Sequence, residues 1–297
     1  MARPSQRLAT NAPGPFYVDG SCIDCGTCWQ WDPRHFAPGG DQAHVHRQPE
    51  NEAGIRQALL ALQACPVAAI GAPAELIATT PADGFPALLC EGPWGRVHYC
   101  GWASRLSFGA SSYLIERPAG NVLIDSPRFS APLARTIAAM GGLSAIVLSH
   151  RDDVADHQRW AEAFGCPRWI HADDAEAAPG AERLLHGEEE LRLDPDLRLI
   201  PTPGHTAGSL VALLGERVLF SGDHLWWSER AGAVVASRTY CQWDWPSQLA
   251  SVAKLRDLDV RWLLPGHGDR RCFKAGVWRR ELDRLLAHAD QPESGWG

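Results

Sequence analysis

Residues 143–157 read LSAIVLSHRDDVADH. The apolar run 143–148 has the length and β-branched content of a buried strand. The nine residues after it hold two histidines and three aspartates. Imidazole nitrogens and carboxylate oxygens concentrated just past a strand are the donors that a divalent metal takes. The competing reading is a charged surface turn in which one aspartate caps the helix that follows by accepting a backbone N–H. Three later stretches share the form. PTPGHTAGS (201–209) puts His205 in a Gly-rich turn, VLFSGDHL (218–225) puts Asp223 just past a strand, and WLLPGHGD (262–269) does the same for His267. Turns of this kind gather distant side chains at one edge of a sheet.

Working outward, the region from residue 87 alternates short apolar runs with amphipathic stretches. PALLC, GRVHYC, SSYLIE, NVLIDS, AIVLS, RWIH, LRLIP, SLVALL, RVLFSG and RWLLPG read as strands. Residues 131–140, 155–164, 246–257 and 275–289 read as helices, the last with Trp278, Leu282, Leu285 and Leu286 at helical spacing for packing. Many strands with several helices predict a layered α/β domain. Upstream, GAPAELIATTPADGFP (71–86) is rich in Pro, Ala and Gly, which predicts a linker. The expected division is a small domain over 1–75, a linker over 76–86 and a large domain over 87–297. The first fifteen residues, which carry arginines and no apolar segment, read as a flexible leader rather than a signal peptide.

The chain of 297 residues carries a net charge of −7, and the first 75 hold five basic against seven acidic side chains. Neither part offers a cationic face, which argues against nucleic acid and anionic membrane as partners. No apolar run reaches the ~20 residues of a membrane span. A cytoplasmic location is expected by default.

The nine cysteines are unevenly placed. Cys22, Cys25 and Cys28 form a Cys-x2-Cys-x2-Cys run, and Cys65 stands far downstream, followed by Pro66. Thiolates at this spacing hold three irons of a cube from one loop and need a remote fourth. Gly26 lets the loop turn tightly. Four thiolates also suit zinc, which is the alternative reading. The five remaining cysteines, scattered singly, read as inert thiols in a reducing compartment.

The quartet resembles the single-cluster bacterial-type ferredoxins, which implies one 4Fe–4S cluster on Cys22, Cys25, Cys28 and Cys65 and a small α+β ferredoxin-like domain. The motifs NVLIDSP, IVLSH, PTPGHTAGS, FSGDHL and LPGHG occur in the order of the metallo-β-lactamase superfamily, which the larger part resembles. That resemblance implies a four-layer αβ/βα sandwich with one or two metal ions, zinc or alternatively iron, at one edge. The family pattern is His-x-His-x-Asp-His, then a His, a bridging Asp and a last His. Here Asp152 stands where the second His belongs, and the Asp-His pair comes two residues late. Carried over on that basis, His150, His205 and Asp152 would hold the first metal, Asp156, His157 and His267 the second, and Asp223 would bridge. Asp153 rivals Asp152. Asp156 would orient the nucleophile or accept its proton.

The resemblance implies a metal-dependent hydrolase of a small ester, thioester or related molecule, with the fused ferredoxin domain serving electron transfer or redox sensing. Two alternatives stand beside it. A carboxylate in place of a histidine suits iron, and an iron-dependent oxidoreductase similar to the flavodiiron proteins would draw its electrons from the ferredoxin domain and a redox partner protein. A non-catalytic redox-sensing module is the other. Trp226, Trp227, Trp243 and Trp245 are candidates for a pocket wall or for packing under a long loop.

Overall fold

The computed structural model describes residues 2–289. Asn11 organises the start of the chain. Its side-chain amide donates to the carbonyls of Leu8 and Val18, and its Oδ1 accepts the N–H groups of Val18 and Val45. This hub pins the segment that the sequence led us to expect as a flexible leader, and Arg7 adds bonds to the Ala12 and Gly14 carbonyls. The correction has a simple cause: one buried amide satisfies four backbone groups that an open leader would leave to water.

The small domain follows as β1 (Tyr17–Val18), α1 (Thr27–Trp31), β2 (Phe36–Pro38), β3 (Ala43–Val45), α2 (Glu52–Ala64), β4 (Ile70–Gly71) and α3 (Ala74–Ile77). Two short antiparallel pairs, β1–β4 and β2–β3, pack against α2. Asn51 caps α2 by accepting the Gly54 N–H at 2.9 Å. The helix faces two cores at once. Leu59 and Ala61 belong to the small domain's own cluster, whereas Leu60 and Ala64 belong to that of the large domain. The connecting segment is likewise no loose tether, because Phe85 is buried and meets Trp31 and Tyr99 edge-on.

The large domain contains β5 (Ala87–Gly92), β6 (Gly95–Tyr99), β7 (Tyr113–Glu116), β8 (Val122–Ile124), α4 (Ala131–Ala139), β9 (Ala145–Val147), α5 (His157–Phe164), β10 (Arg168–His171) and β11 (Arg183–Leu185). It continues through β12 (Leu191–Asp194), β13 (Leu197–Pro201), β14 (Leu210–Leu214), β15 (Val218–Gly222), β16 (Trp226–Ser228), β17 (Ala233–Val235), α6 (Trp245–Leu255), β18 (Trp262–Pro265), β19 (Arg271–Cys272) and α7 (Val277–His288). One sheet has seven strands in the order β11-β10-β9-β8-β7-β6-β5, and the second has six in the order β12-β13-β14-β15-β18-β19.

Strand alternation shows the layering. Leu197, Leu199, Leu210, Ala212, Leu214, Val218, Phe220 and Leu264 share a core with the first sheet and with Leu133, Ile137 and Trp160 of its helices. Their neighbours Ile200, Val211, Leu213, Leu219 and Leu263 pack instead with Val252, Leu255, Trp278 and Leu282 of α6 and α7. Alternate residues on a strand face opposite sides, so the second sheet is covered on both faces. The result is the four-layer αβ/βα sandwich, with the small α+β domain ahead of it.

The same pleat explains where the site lies. Strands β8 and β9 run parallel, as do β15 and β18. Parallel neighbours end at the same edge, so the turns after β9, β15 and β18 meet there.

Candidate metal centre

His150 is the second residue beyond Leu148 and is 1% exposed. Asp125, at the end of β8, accepts the Ser149 N–H at 2.7 Å on one oxygen and the Ser149 hydroxyl at 3.0 Å on the other. That hydroxyl lies 2.9 Å from His150 Nδ1. Asp125, Ser149 and His150 thus form a chain that fixes the imidazole with Nε2 inward. Burial pushes the Asp125 carboxyl up to about 7 and the His150 imidazole down to about 4.

His205 arrives from the β13–β14 turn. Asp174 holds that turn, accepting from Thr206 Oγ1 at 2.5 Å and from Gly208 N at 3.2 Å. Asp223 and His267 arrive together, because β15 and β18 pair in parallel and Gly266 N donates to Gly222 O at 2.8 Å. Gly266 permits a close approach of two carboxylates. A Cβ there would sit 2.6 Å from both Asp153 Oδ2 and Asp223 Oδ1.

Donor atoms of His150, His205 and Asp223 lie within 4.8 Å of one another, and those of Asp153, Asp223 and His267 do the same. Asp223 is common to both groups. Its Oδ2 lies 3.7 Å from His150 Nε2, 3.9 Å from His205 Nε2 and 3.8 Å from His267 Nε2. Asp152 Oδ2 lies 3.8 Å from His150 Nε2 and 3.5 Å from His205 Nε2, and Gln242 Nε2 holds the same oxygen at 2.7 Å. His205 beside it, with His150 and Gln242 adding, takes the Asp152 carboxyl down to about 2.

The donor set fits metal ions on an observation independent of family. His150 Nε2, His205 Nε2, Asp223 Oδ1 and both oxygens of Asp153 are buried without a hydrogen-bond partner. Buried polar atoms left unpaired are costly, and five gathered in two groups that share Asp223 are what cations satisfy. Burial and the neighbouring carboxylates Asp223, Asp125 and Asp152 drive the Asp153 carboxyl well above its ordinary range, a strain that positive charge relieves.

Two residues expected at this centre are elsewhere. Asp156 precedes α5, and its carboxylate accepts the Phe129 N–H at 2.7 Å. His157 begins α5 and turns its Nδ1 to the Arg168 guanidinium at 3.3 Å. The Asp-His pair therefore belongs to the helix start, and no two-residue insertion carries it to the metals. Asp153 occupies the second group in their stead. Asp125, Ser149, Asp174 and Gln242 are further residues that the sequence reading left unassigned. Asp125 alone had a signal there, as the acid ending NVLID.

The cysteine site is equally legible in space. Cys22, Cys25, Cys28 and Cys65 surround one small cavity walled by Val18, Ile23, Trp29 and Ile70. All nine cysteines are free. The Asp24 N–H reaches Cys22 Sγ at 3.5 Å, and the Ala69 N–H reaches Cys65 Sγ at 3.3 Å. Backbone donors aimed at sulfur favour thiolates and metal–sulfur clusters. Burial raises the Cys25 thiol to about 11 and drives the Cys28 thiol well above its ordinary range, each made worse by the neighbouring sulfurs. The packed thiols thus need a compensating cation to ionise.

A cavity of about 950 Å³ opens over the metal centre. Its floor includes Asp152, Asp153, His205, Asp223 and His267, and its walls include Phe108, Trp226 and Tyr240. Of the four tryptophans singled out from the sequence, Trp226 lines this cavity, Trp227 and Trp245 pack with the α6–α7 core, and Trp243 is exposed.

Residues 107–267, more than half of the chain, match the family described as the metallo-beta-lactamase superfamily. This chain belongs to the metallo-β-lactamase superfamily. Residues 18–72 match the 4Fe-4S single cluster domain of ferredoxin I, so a ferredoxin domain is fused ahead of the lactamase fold. Among curated relatives, YmaE of Bacillus subtilis is 33% identical over 108 residues, which is 35% of this chain and 39% of that protein. A hydroxyacylglutathione hydrolase of Rhodospirillum rubrum is 28% identical over 158 residues, 51% of this chain and 59% of that protein. The chain spans about half the length of the curated relatives it matches. Among solved structures, the DIM-1 metallo-β-lactamase superposes with a TM-score of 0.50 at 17% identity, covering 69% of this chain and 99% of that one. VMB-1 gives 0.51 at 14%, covering 69% and 97%. These two likenesses show the fold. Within the superfamily, metal ions occupy the lactamase part, and the ferredoxin part is of the 4Fe–4S type.

Proposed function

We propose that the protein is a metal-dependent hydrolase of a small ester or thioester. The observation that carries this reading is the gathering of five unpartnered donor atoms of His150, Asp153, His205 and Asp223, the last three of these residues on the floor of the 950 Å³ cavity. His150, His205 and Asp152 would hold one ion, Asp153 and His267 the other, with Asp223 between them. Metal ions bound there supply a hydroxide at neutral pH and polarise the bond under attack. The chain's own residues do the rest. Ser149 and Asp125 lock the His150 ring, and Gln242 fixes Asp152 while its own N–H holds the His205 carbonyl at 2.9 Å. Asp153 replaces Asp156 in the role of accepting the nucleophile's proton. Phe108, Trp226 and Tyr240 exclude water and receive an apolar or aromatic acyl group.

A hydroxyacylglutathione, the substrate in the names of several relatives, is the first compound to test, followed by simple esters and lactones. Hydrolysis by the purified protein that vanishes in Asp223→Asn supports the reading. No hydrolysis across that set by protein with metals bound would refute it. We further propose a reducing compartment, in keeping with the free thiols, and a redox protein as partner of the ferredoxin domain. Among the described residues no helix is long and apolar enough to cross a membrane.

A specific observation favours a second reading. The first group pairs two histidines with two carboxylates, and the second holds one histidine with two. Oxygen-rich sets of this kind suit iron better than zinc, which would add one-electron chemistry to the same centre.

A further inference from the structure

The cysteine site and the metal centre are neighbours. Cys25, Gly26 and Trp29 line the small cavity among the cysteines and also the large cavity over the metals. These three residues therefore form a wall common to both cavities.

One segment of the lactamase fold is clasped between them. At its cysteine end, Thr27 Oγ1 lies 3.2 Å from Cys25 Sγ and donates to the Gly109 carbonyl at 3.1 Å. Gly109 has φ +91°, and a Cβ there would lie 2.8 Å from Cys25 Sγ. Only glycine lets this backbone press against that sulfur. At its metal end, the Ser111 N–H donates to the Gly266 carbonyl at 2.7 Å, beside His267. Next to the Gly109 anchor, the Phe108 ring lies 6.3 Å from the His267 ring, centre to centre, at a 52° tilt. His267 Nε2 is 3.8 Å from Asp223 Oδ2. Phe108 is 57% exposed to the cavity and its solvent, and has φ +48°. A large apolar ring held in a strained backbone conformation at a mouth calls for a role.

We propose that the Phe108–Ser111 segment is the route by which single electrons pass between the cluster at Cys25 and an iron ion at the His267 side of the metal centre. The inference rests on the second reading above. The step is balanced as follows. An external one-electron donor protein reduces the cluster, one electron leaves the cluster through Cys25, and one ferric ion in the centre becomes ferrous. No bond forms or breaks. The fused ferredoxin domain is then an internal electron supply for the cavity's floor, with Phe108 filling the gap between Gly109 and His267.

The test uses the full chain purified without oxygen, after iron, zinc and labile sulfide have been measured. A flash-excited deazaflavin reduces the cluster, and its visible absorbance is followed. The expected result is a re-oxidation phase whose rate does not depend on protein concentration. That phase is lost in Asp223→Ala, which lacks the acceptor. It is slowed or lost in Phe108→Ala while metal and sulfide contents stay as in the parent. Phe108→Leu, which keeps an apolar side chain at the same backbone strain, separates loss of the aromatic bridge from local unfolding and is expected to be slowed as well. An unchanged rate in both Phe108 variants overturns the route. The absence of any concentration-independent phase overturns the transfer itself. Zinc in the centre also overturns it while leaving the hydrolase reading intact, and a lack of labile sulfide shows that the cluster assignment has failed first.

Discussion

At the scale of the residue, Asp153 is 1% exposed with both carboxylate oxygens unpartnered, whereas the Asp156 carboxylate is engaged by the Phe129 N–H. Their contrast gives a direct prediction. Asp153→Asn should lower metal content by removing a ligand from the second group. Asp156→Ala should leave metal content alone and cost about 1 kcal/mol of stability, the usual worth of one hydrogen bond. Metal analysis and thermal unfolding of both variants check this, and equal metal loss in the two would put Asp156 back at the centre. Ser149 gives a second prediction. Its hydroxyl links Asp125 to His150, and removing such an orienting partner costs on the order of 10- to 100-fold in metal affinity. Ser149→Ala, titrated against a chelator, should show that loss without unfolding. The positions of His150, His205, Asp223 and His267 are readable because each follows an apolar strand, the last three also directly after a glycine. The tail of SHRDDVADH was misread because spacing alone does not show where a turn ends and a helix begins. Here His157 already lies in α5, so its side chain follows the helix surface to Arg168.

Elements differ in how clearly they announce themselves. The long apolar runs became β6, β7, β13, β14, β15 and β18 close to the expected bounds. β11, β12, β16, β17 and β19 were not anticipated. Each has only two to four residues, too few for a period to show. The ordered start of the chain was invisible for a related reason, since it depends on the single side chain of Asn11. Helix α2 carries the prediction at this scale. Asn51→Ala removes its cap and should destabilise the helix by about 1 kcal/mol. Because Cys65 directly follows α2, the same variant should lose labile sulfide faster under air. Hydrogen exchange along 52–64 measures the first effect, and protection unchanged from the parent would show that packing rather than the cap holds the helix.

The whole molecule behaves as one folded body in two parts. Leu59 and Leu60 sit side by side in one helix yet feed different cores, and Trp31, Phe85 and Tyr99 meet edge-on or tilted across the junction. A sequence reading that drew a linker over 76–86 could not show this, because composition reports local flexibility and not what a segment packs against. The shared core predicts a single cooperative unfolding transition in calorimetry rather than separate ones for the two parts. Two resolved transitions would contradict the coupling. Deleting residues 2–75 should likewise yield an insoluble or metal-poor lactamase part, since it strips Leu60 and Ala64 from the main core and a wall from the cavity.

By this reading one chain holds two metal sites of different kinds side by side. Iron, zinc and acid-labile sulfide per chain, measured on anaerobically purified parent protein and Asp223→Ala, test it most directly. The parent should carry about four iron and four sulfide for the cluster and further metal ions for the two donor groups that share Asp223. Asp223→Ala should keep the sulfide and its iron and lose the further metal. If the parent carries no metal beyond the cluster, or if Asp223→Ala retains it, the metal centre described here is not where the metal binds.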